Sequence, residues 1–309
     1  PRFLRMVRDM LRFNKLAADT VTPGMSIRQL VETLGLGAWF QDFYLTPFSG
    51  AIWSTPTSQI LDFPAHSLVQ FFKNHDLLDW LEDPQWYTVR GGSVEYVKRL
   101  GAALMQRGVD VRLGAETRSV RRTEVGVEVR VAGGAWEQFD EIVFATHADD
   151  TLRLLSDASG VERTALSAIR YQPNRAVLHA DPQVMPKNRK VWASWSYVDT
   201  GKDRDAPIDL SYWMNSLQPI PADDPMFVTL NRDAPIRDEL IYDEATFRQP
   251  VYDAAAIAAQ DTVRAINGQN RTWFCGAWMK NGFHEDGLAS AIDVVEGIEV
   301  QGAFGLAAQ

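Results

Sequence analysis

The stretch that decides the reading is Asn281–Ile298, "NGFHEDGLASAIDVVEGI", with Arg271–Trp278, "RTWFCGAW", just before it. An apolar run stops at Gly276. Glycine and acidic residues follow, and then small and apolar residues recur at helical spacing. This order predicts a strand ending at Gly276, a glycine turn, and a helix starting near Asp286. Such a helix leaves its first amides without intrahelical partners. Its dipole makes that end a place for an electron-rich ligand atom. Gly282 and Gly287 let backbone approach a planar or phosphorylated ligand, while Ala289, Ser290 and Ala291 keep the helix slim. The same pattern also suits a tightly packed turn with no ligand.

Working outward, the chain mixes helices and strands. Leu4, Val7, Met10, Leu11 and Leu16 repeat at helical spacing, "SIRQLVETLGL" reads as a helix capped by Ser26 and closed near Gly35, and "SLVQFFKNHDLL" reads as a third. After Pro84 the run "WYTVRGGSVEYVKRLGAALMQRG" predicts strand, glycine turn, helix and glycine stop. "VGVEVRV" and "WEQFDEIVFA" flank a Gly-Gly turn, a hairpin signal. From Tyr171 to Phe247 strand-like runs are broken by prolines, and "YDAAAIAAQDTVRAING" is a helix ending at Gly268. The α/β texture is thus interrupted by a β-rich segment and then returns. One domain interrupted by another is the simplest account.

The 309 residues are 46% hydrophobic and 23% charged, enough apolar content for a buried core. A net charge of −9 with no basic run excludes an extended nucleic-acid surface as the expectation. One cysteine permits no intrachain disulfide and suits a reducing, cytoplasmic setting. No run of about 18 apolar residues marks a transmembrane helix, and no signal peptide is legible. The opening "PRFLRMVRDMLRFNKLA" reads as the middle of a helix, so the chain is expected to begin inside a longer protein.

"FCGAWMKNGFHEDGLASAIDVVEGI" resembles the C-terminal flavin-binding motif of the FAD-dependent amine oxidase superfamily, which also holds the carotenoid desaturases and protoporphyrinogen oxidase. "TVRGGSVEYVKRLGAAL" resembles its Gly-Gly signature. "VRLGAETRSVRRTEVGVEVRVAGGAWEQFDEIVFATHADDTLRLL" is similar to the segment that follows that signature. "PFSGAIWSTP", "PQWYTVRGGS" and "LHAD" are most similar to a bacterial branch of NAD/FAD-binding proteins. The resemblance implies an α/β (α+β) fold: a partial FAD/NAD(P)-binding, Rossmann-like domain interleaved with a β-sheet-plus-helices substrate domain. Residues 84–150 and 251–305 would form the former, and 1–83 and 151–250 the latter. It implies cofactor contacts at Arg90, Gly91, Gly92, Val120, Gly276, Ala277, Gly287 and Leu288. The flavin would accept hydride from a small organic or lipid-like substrate.

One departure matters. The family's G-x-G-x-x-G, which cradles the pyrophosphate, is absent. "GLGAWF" at Gly35 follows a helix and carries Phe40 where the third glycine belongs. The first βαβ unit is therefore expected to be missing, leaving FAD as the cofactor of the full-length protein and at most weak FAD binding by these 309 residues. A homodimer, or a catalytically inactive binding or partner module, are further expectations.

Among chemical candidates, Cys275 reads as a buried strand residue, and His66, His75, His147, His179 and His284 lack metal-ligand spacing, so no metal is expected. His179, on a strand of the presumed substrate sheet, is the one catalytic candidate. Arg175 stands nearest the position where amine oxidases often carry a lysine. Trp192, Trp195, Tyr197, Tyr212 and Trp213 suit either core packing or an apolar cavity.

Overall fold

A computed structural model of the protein describes residues 2–53, 55–78, 87–198, 205 and 208–307, the last six as backbone only. The chain forms two compact units, residues 1–111 with 172–249, and residues 112–171 with 250–309. These limits differ from the expected 84 and 150, the first of which lies outside the described residues. Gln218 donates to the Thr88 hydroxyl at 2.8 Å, tying the segment after position 87 to the first unit. Residues 151–171 join the second unit because Leu155, Ala165, Leu166 and Ile169 are buried in its core.

The first unit opens with helices α1 (Arg2–Thr20), α2 (Ile27–Thr33) and the single turn α3 (Ala38–Phe40), which continues through a π-helical turn into α4 (Thr46–Trp53). Then come α5 (Thr57–Ile60), α6 (Ala65–Asn74) and α7 (Val94–Gln106). Ser26 caps α2 with a full capping box: the Ser26 hydroxyl accepts from the Gln29 backbone amide, and the Gln29 side-chain oxygen accepts from the Ser26 backbone amide. Phe13, Phe40 and Phe72 bury completely, with centroids 5.6 and 5.7 Å from the Phe13 ring. Each contributes about 2–3 kcal/mol of burial. Residues 87–89, expected as a strand, have no regular structure.

The second unit starts with a meander, β1 (Thr117–Arg122), β2 (Val127–Val131) and β3 (Trp136–Phe139), antiparallel throughout. The expected Gly133-Gly134 hairpin is the β2–β3 turn. The run read as one strand after it is two: β3 and then β4 (Ile142–Phe144), which leaves the meander. Helices α8 (Ala148–Leu154) and α9 (Gly160–Ala168) follow.

The chain then returns to the first unit as β5 (Tyr171–His179), β6 (Trp195–Tyr197), β7 (Leu210–Trp213), the turn α10 (Met214–Leu217), β8 (Phe227–Leu230) and β9 (Ile241–Pro250). They form one five-stranded sheet in the order β6-β7-β8-β5-β9, antiparallel at β6–β7, β7–β8 and β5–β8. Ala51 of α4 packs on Ala176, Ile208, Leu210 and Leu230, and the Phe48 ring lies 5.3 Å from Trp195, so the early helices do cover this sheet. β9 escapes a sequence reading because its strand is mostly exposed and polar.

The second unit closes with α11 (Ala254–Ile266), β10 (Thr272–Phe274) and α12 (His284–Ala307). Asp253 caps α11 and Gly268, at φ 82°, ends it. β10 pairs parallel with β4, Thr272 to Ile142 and Phe274 to Phe144. The fold is therefore mixed helix and sheet. Among the described residues no helix is long and apolar enough to cross a membrane.

Candidate functional site

The decisive stretch folds as its residues dictate. β10 is wholly buried and delivers Cys275 and Gly276 to the turn. Gly276 sits at φ 145°, and a Cβ there would come within 2.7 Å of the Trp278 indole nitrogen. That nitrogen instead donates to the Thr146 carbonyl at 3.0 Å, beyond the end of β4. The Ser290 hydroxyl, on α12, accepts from the Gly276 amide at 2.9 Å and lies 2.8 Å from the Gly287 carbonyl. α12 lies against this turn at Gly287, where a Cβ would make ordinary contact, 3.7 Å from the Ala277 nitrogen.

Side chains from α11 and its approach pin the rest of the turn. The Gln260 amide donates to the carbonyls of Trp278 and Lys280 at 2.9 and 2.7 Å, and Arg264 donates to the Met279 carbonyl. Tyr252 donates to the Ala277 carbonyl at 3.4 Å. Gly282 leaves room for the Tyr252 ring, since a Cβ would meet its hydroxyl at 2.7 Å. Burial first, then the neighbouring Tyr171 and Asp286, hold the Tyr252 phenol far above its usual range, so it stays neutral. Burial likewise raises the Cys275 thiol, which makes it a poor nucleophile. The Asp286 carboxylate reaches back to the amides of Asn281 and Phe283 at 3.3 and 3.0 Å. The chain's own acid thus fills part of the anion position that the sequence assigned to this turn.

Val120 is fully buried in the second unit's core. Its carbonyl already accepts from the amide and hydroxyl of Ser156, both at 2.9 Å. Its side chain is therefore a core contact, not a ligand contact. Leu288, by contrast, is exposed.

In the first unit, Arg90, Gly91 and Gly92 form an exposed turn with φ of 83° and 85° at the two glycines. The Gly92 amide donates to the Val89 carbonyl, and α7 starts behind it with no side-chain cap. A Cβ on Gly92 would meet nothing within 4 Å, so this glycine is required by conformation rather than by space. The turn exposes its backbone where a helix begins, the local arrangement that suits an electron-rich ligand.

His179 does not behave as a catalytic base. It is fully buried; its Nδ1 accepts from the Asp181 amide at 3.0 Å, and its Nε2 lies 2.8 Å from the Thr229 hydroxyl, which bonds Ser211. Burial lowers its pKa against the opposing pull of Asp181. Both nitrogens are used inside the sheet, so the expected ligand-facing role gives way to a structural one. Arg175 is committed to Glu244 through two bonds of 2.5 and 2.6 Å. The aromatic set is partly buried: Trp195, Tyr197 and Tyr212 pack against one core cluster, Trp192 and Trp213 against another. His147, Asp149 and Asp150 bring three potential ligand atoms within 4.8 Å of one another, but Arg153 engages both acids.

The sequence model of flavin-containing amine oxidoreductases matches residues 3–203, more than half of the chain. The chain belongs to the flavin-containing amine oxidoreductase family. No curated protein sequence matches it. Among solved structures it is similar to a CLA-producing fatty acid isomerase from P. acnes, with 14% identity, a TM-score of 0.67, and coverage of 96% of this chain and 74% of that one. It is similar to a reduced UDP-galactopyranose mutase, with 12% identity, a TM-score of 0.62, and coverage of 94% and 71%. It is also similar to wild-type putrescine oxidase bound to putrescine, with 14% identity, a TM-score of 0.62, and coverage of 97% and 76%. These likenesses support the fold. The family match includes the Gly91-Gly92 turn and the β1–β4 segment but stops before Gly276, which rests on the fold likeness.

Within this flavoprotein family member, sequence reasoning found the glycines but missed the clamps Tyr252, Gln260 and Trp278. Asp286 had a signal: an acid three residues after Phe283, where the helix begins, is the spacing of a residue that reaches back to cap a helix start. Gln260 and Tyr252 had none, because their roles depend on packing across the second unit.

Proposed function

We propose that the full-length protein is an FAD-dependent oxidoreductase of the amine oxidase/desaturase type, taking hydride from a small organic or lipid-like substrate. The observation that carries this reading is the Gly276–Gly287 turn. A buried strand, a positive-φ glycine and a slim helix N-terminus are fixed by Ser290, Gln260 and Tyr252, with Leu288 exposed beside them. In the second unit, Gly276, Ala277, Gly287 and Leu288 would hold the flavin end and the backbone around Val120 the adenine end; in the first unit the Arg90-Gly91-Gly92 turn has, by its own geometry, the exposed backbone that suits a phosphate group. When bound, FAD supplies the hydride acceptor. This chain's residues position it and keep the turn rigid.

The absence of G-x-G-x-x-G supports little FAD binding by the 309 residues alone. The test compares FAD-dependent melting of this chain with that of a version carrying a βαβ unit with that motif ahead of Arg2. A ligand stabilises only the state that binds it, by about 2.7 kcal/mol at a hundredfold excess over Kd. We expect little change for the first protein and a rise of several degrees for the second. A rise in the first would mean that FAD is held without that motif.

The second reading, a catalytically inactive flavin-fold module, is favoured by Asp286 occupying the turn amides and by the closed bonding of His179. No FAD response in either protein, with both folded, would select it.

A further inference from the structure

Helix α1 carries more than its core face. Asp9, Phe13 and Ala17 are buried, and Asp9 is used internally, accepting from the Gly37 amide at 3.0 Å. The rest of the helix divides into two strips. Phe3, Val7 and Leu11 follow one another four residues apart, with Leu4 seven residues before Leu11, and form an apolar strip. Phe3 and Leu4 are 62% and 71% exposed. Arg5, Arg8, Arg12 and Lys15 recur at spacings of three and four and form a basic strip, all exposed. Next to α1, the Trp39 and Phe43 rings lie 4.8 Å apart with their planes tilted at 45°, both exposed, with the Arg2 guanidinium over the Trp39 ring.

Single exposed apolar residues need no explanation, but an exposed strip of Phe and Leu running beside a row of four cations on one helix does. The chain as a whole is acidic, at −9, yet α1 gathers five cations against Asp19 and the buried Asp9. That concentration is complementary to a negatively charged surface. An apolar strip beside a basic strip is the pattern of a helix that lies in a bilayer interface without crossing it.

We propose that α1, with Trp39 and Phe43, docks the protein on an anionic lipid surface. Leu4, Phe3 and Phe43 enter the headgroup boundary, and Arg5, Arg8, Arg12 and Lys15 meet the lipid phosphates. This goes beyond the flavin reading and stands without it, because no cofactor residue takes part.

The test is flotation of the 309-residue protein with vesicles of phosphatidylcholine alone and of phosphatidylcholine with about one-third phosphatidylglycerol. Binding is expected to the second only, and to weaken as salt rises from about 0.05 to about 0.5 M. Each basic residue near such a surface is worth roughly fivefold in partitioning, so Arg5→Gln/Arg12→Gln should lower binding about 25-fold. Leu4→Ser/Phe43→Ser should abolish it with an unchanged melting temperature, since both side chains are exposed. No flotation, equal flotation with neutral vesicles, or undiminished binding by both variants would overturn the proposal. So would a dimer that assembles through this patch in sedimentation velocity while vesicles capture nothing.

Discussion

Two of the sheets, one from each unit, meet the same requirement differently. In the five-stranded sheet β7, β8 and β5 each have a strand on both sides, and the buried Thr229 hydroxyl bonds both His179 and Ser211 inside it; just beyond β5, Asp181 meets Arg237 at 3.1 Å. In the β4–β10 pair each strand has one partner among the described residues. Phe144 and Phe274 stack in the core, yet Val143, on the opposite face, is 44% exposed. On α12 Leu288, Ile292 and Val295 are exposed in helical register. Antiparallel strands complete themselves through short local connections, whereas parallel strands depend on crossovers from elsewhere in the chain and are normally covered on both faces. Among the described residues, the parallel pair therefore leaves strand edges that further polypeptide, a βαβ unit or a second copy, would cover.

Phe274→Ala tests the closed half of that pair hardest. The ring is 1% exposed and lies 5.9 Å from Phe144. The substitution should cost about 3–5 kcal/mol in urea unfolding. A cost below about 1 kcal/mol would mean that this core is as open as the Val143 face.

In the other sheet, Thr229→Val strands the His179 Nε2 and the Ser211 hydroxyl in a buried setting and should cost roughly 1–3 kcal/mol. The same network predicts a pH effect. Burial lowers the folded pKa of His179 below its unfolded value of about 6.5. Below that value the unfolded chain binds more protons, so this stabilisation is complete above about pH 6.5 and is lost as pH falls through the lowered folded pKa. The urea midpoint should drop from pH 7 to pH 5, and His179→Gln should flatten that part of the slope. An unchanged slope would show that His179 takes up its proton at the same pH in the folded and unfolded chain.

Gly276→Ala forces a side chain at φ 145° against Trp278 and should destabilise by about 1–3 kcal/mol, read as a lower melting temperature. Gly92→Ala, in open space, should cost less, about 1 kcal/mol of backbone strain. The reverse order would mean that the first unit's glycine turn is the more constrained one.

The smallest effect on stability belongs to the bare face. Ile292→Ser should change the unfolding free energy by no more than about 0.5 kcal/mol. If a second copy covers this face, the substitution should move the protein toward monomer in sedimentation velocity. A protein that is monomeric before and after it would leave that surface to a different segment.

Local chemistry made much of this protein legible. Ser26 with Gln29, Asp253 before α11 and Gly268 after it, and the Gly133-Gly134 turn each act within a few residues, so the sequence determined those helix ends and that hairpin. The glycines at 91, 92, 276 and 287 were legible for the same reason. What the tertiary structure decided is what distant residues do to one another. β4 left its hairpin to pair with β10, and the Trp273 indole bonds Glu141 across 132 positions. Tyr252 and Gln260 reached the turn that follows β10. His179, eligible by type and position for proton transfer, was closed by a hydroxyl on a strand 50 residues later. A side chain's type and local spacing fix what it can bond. Only the packing of remote strands fixes which of those bonds is already made.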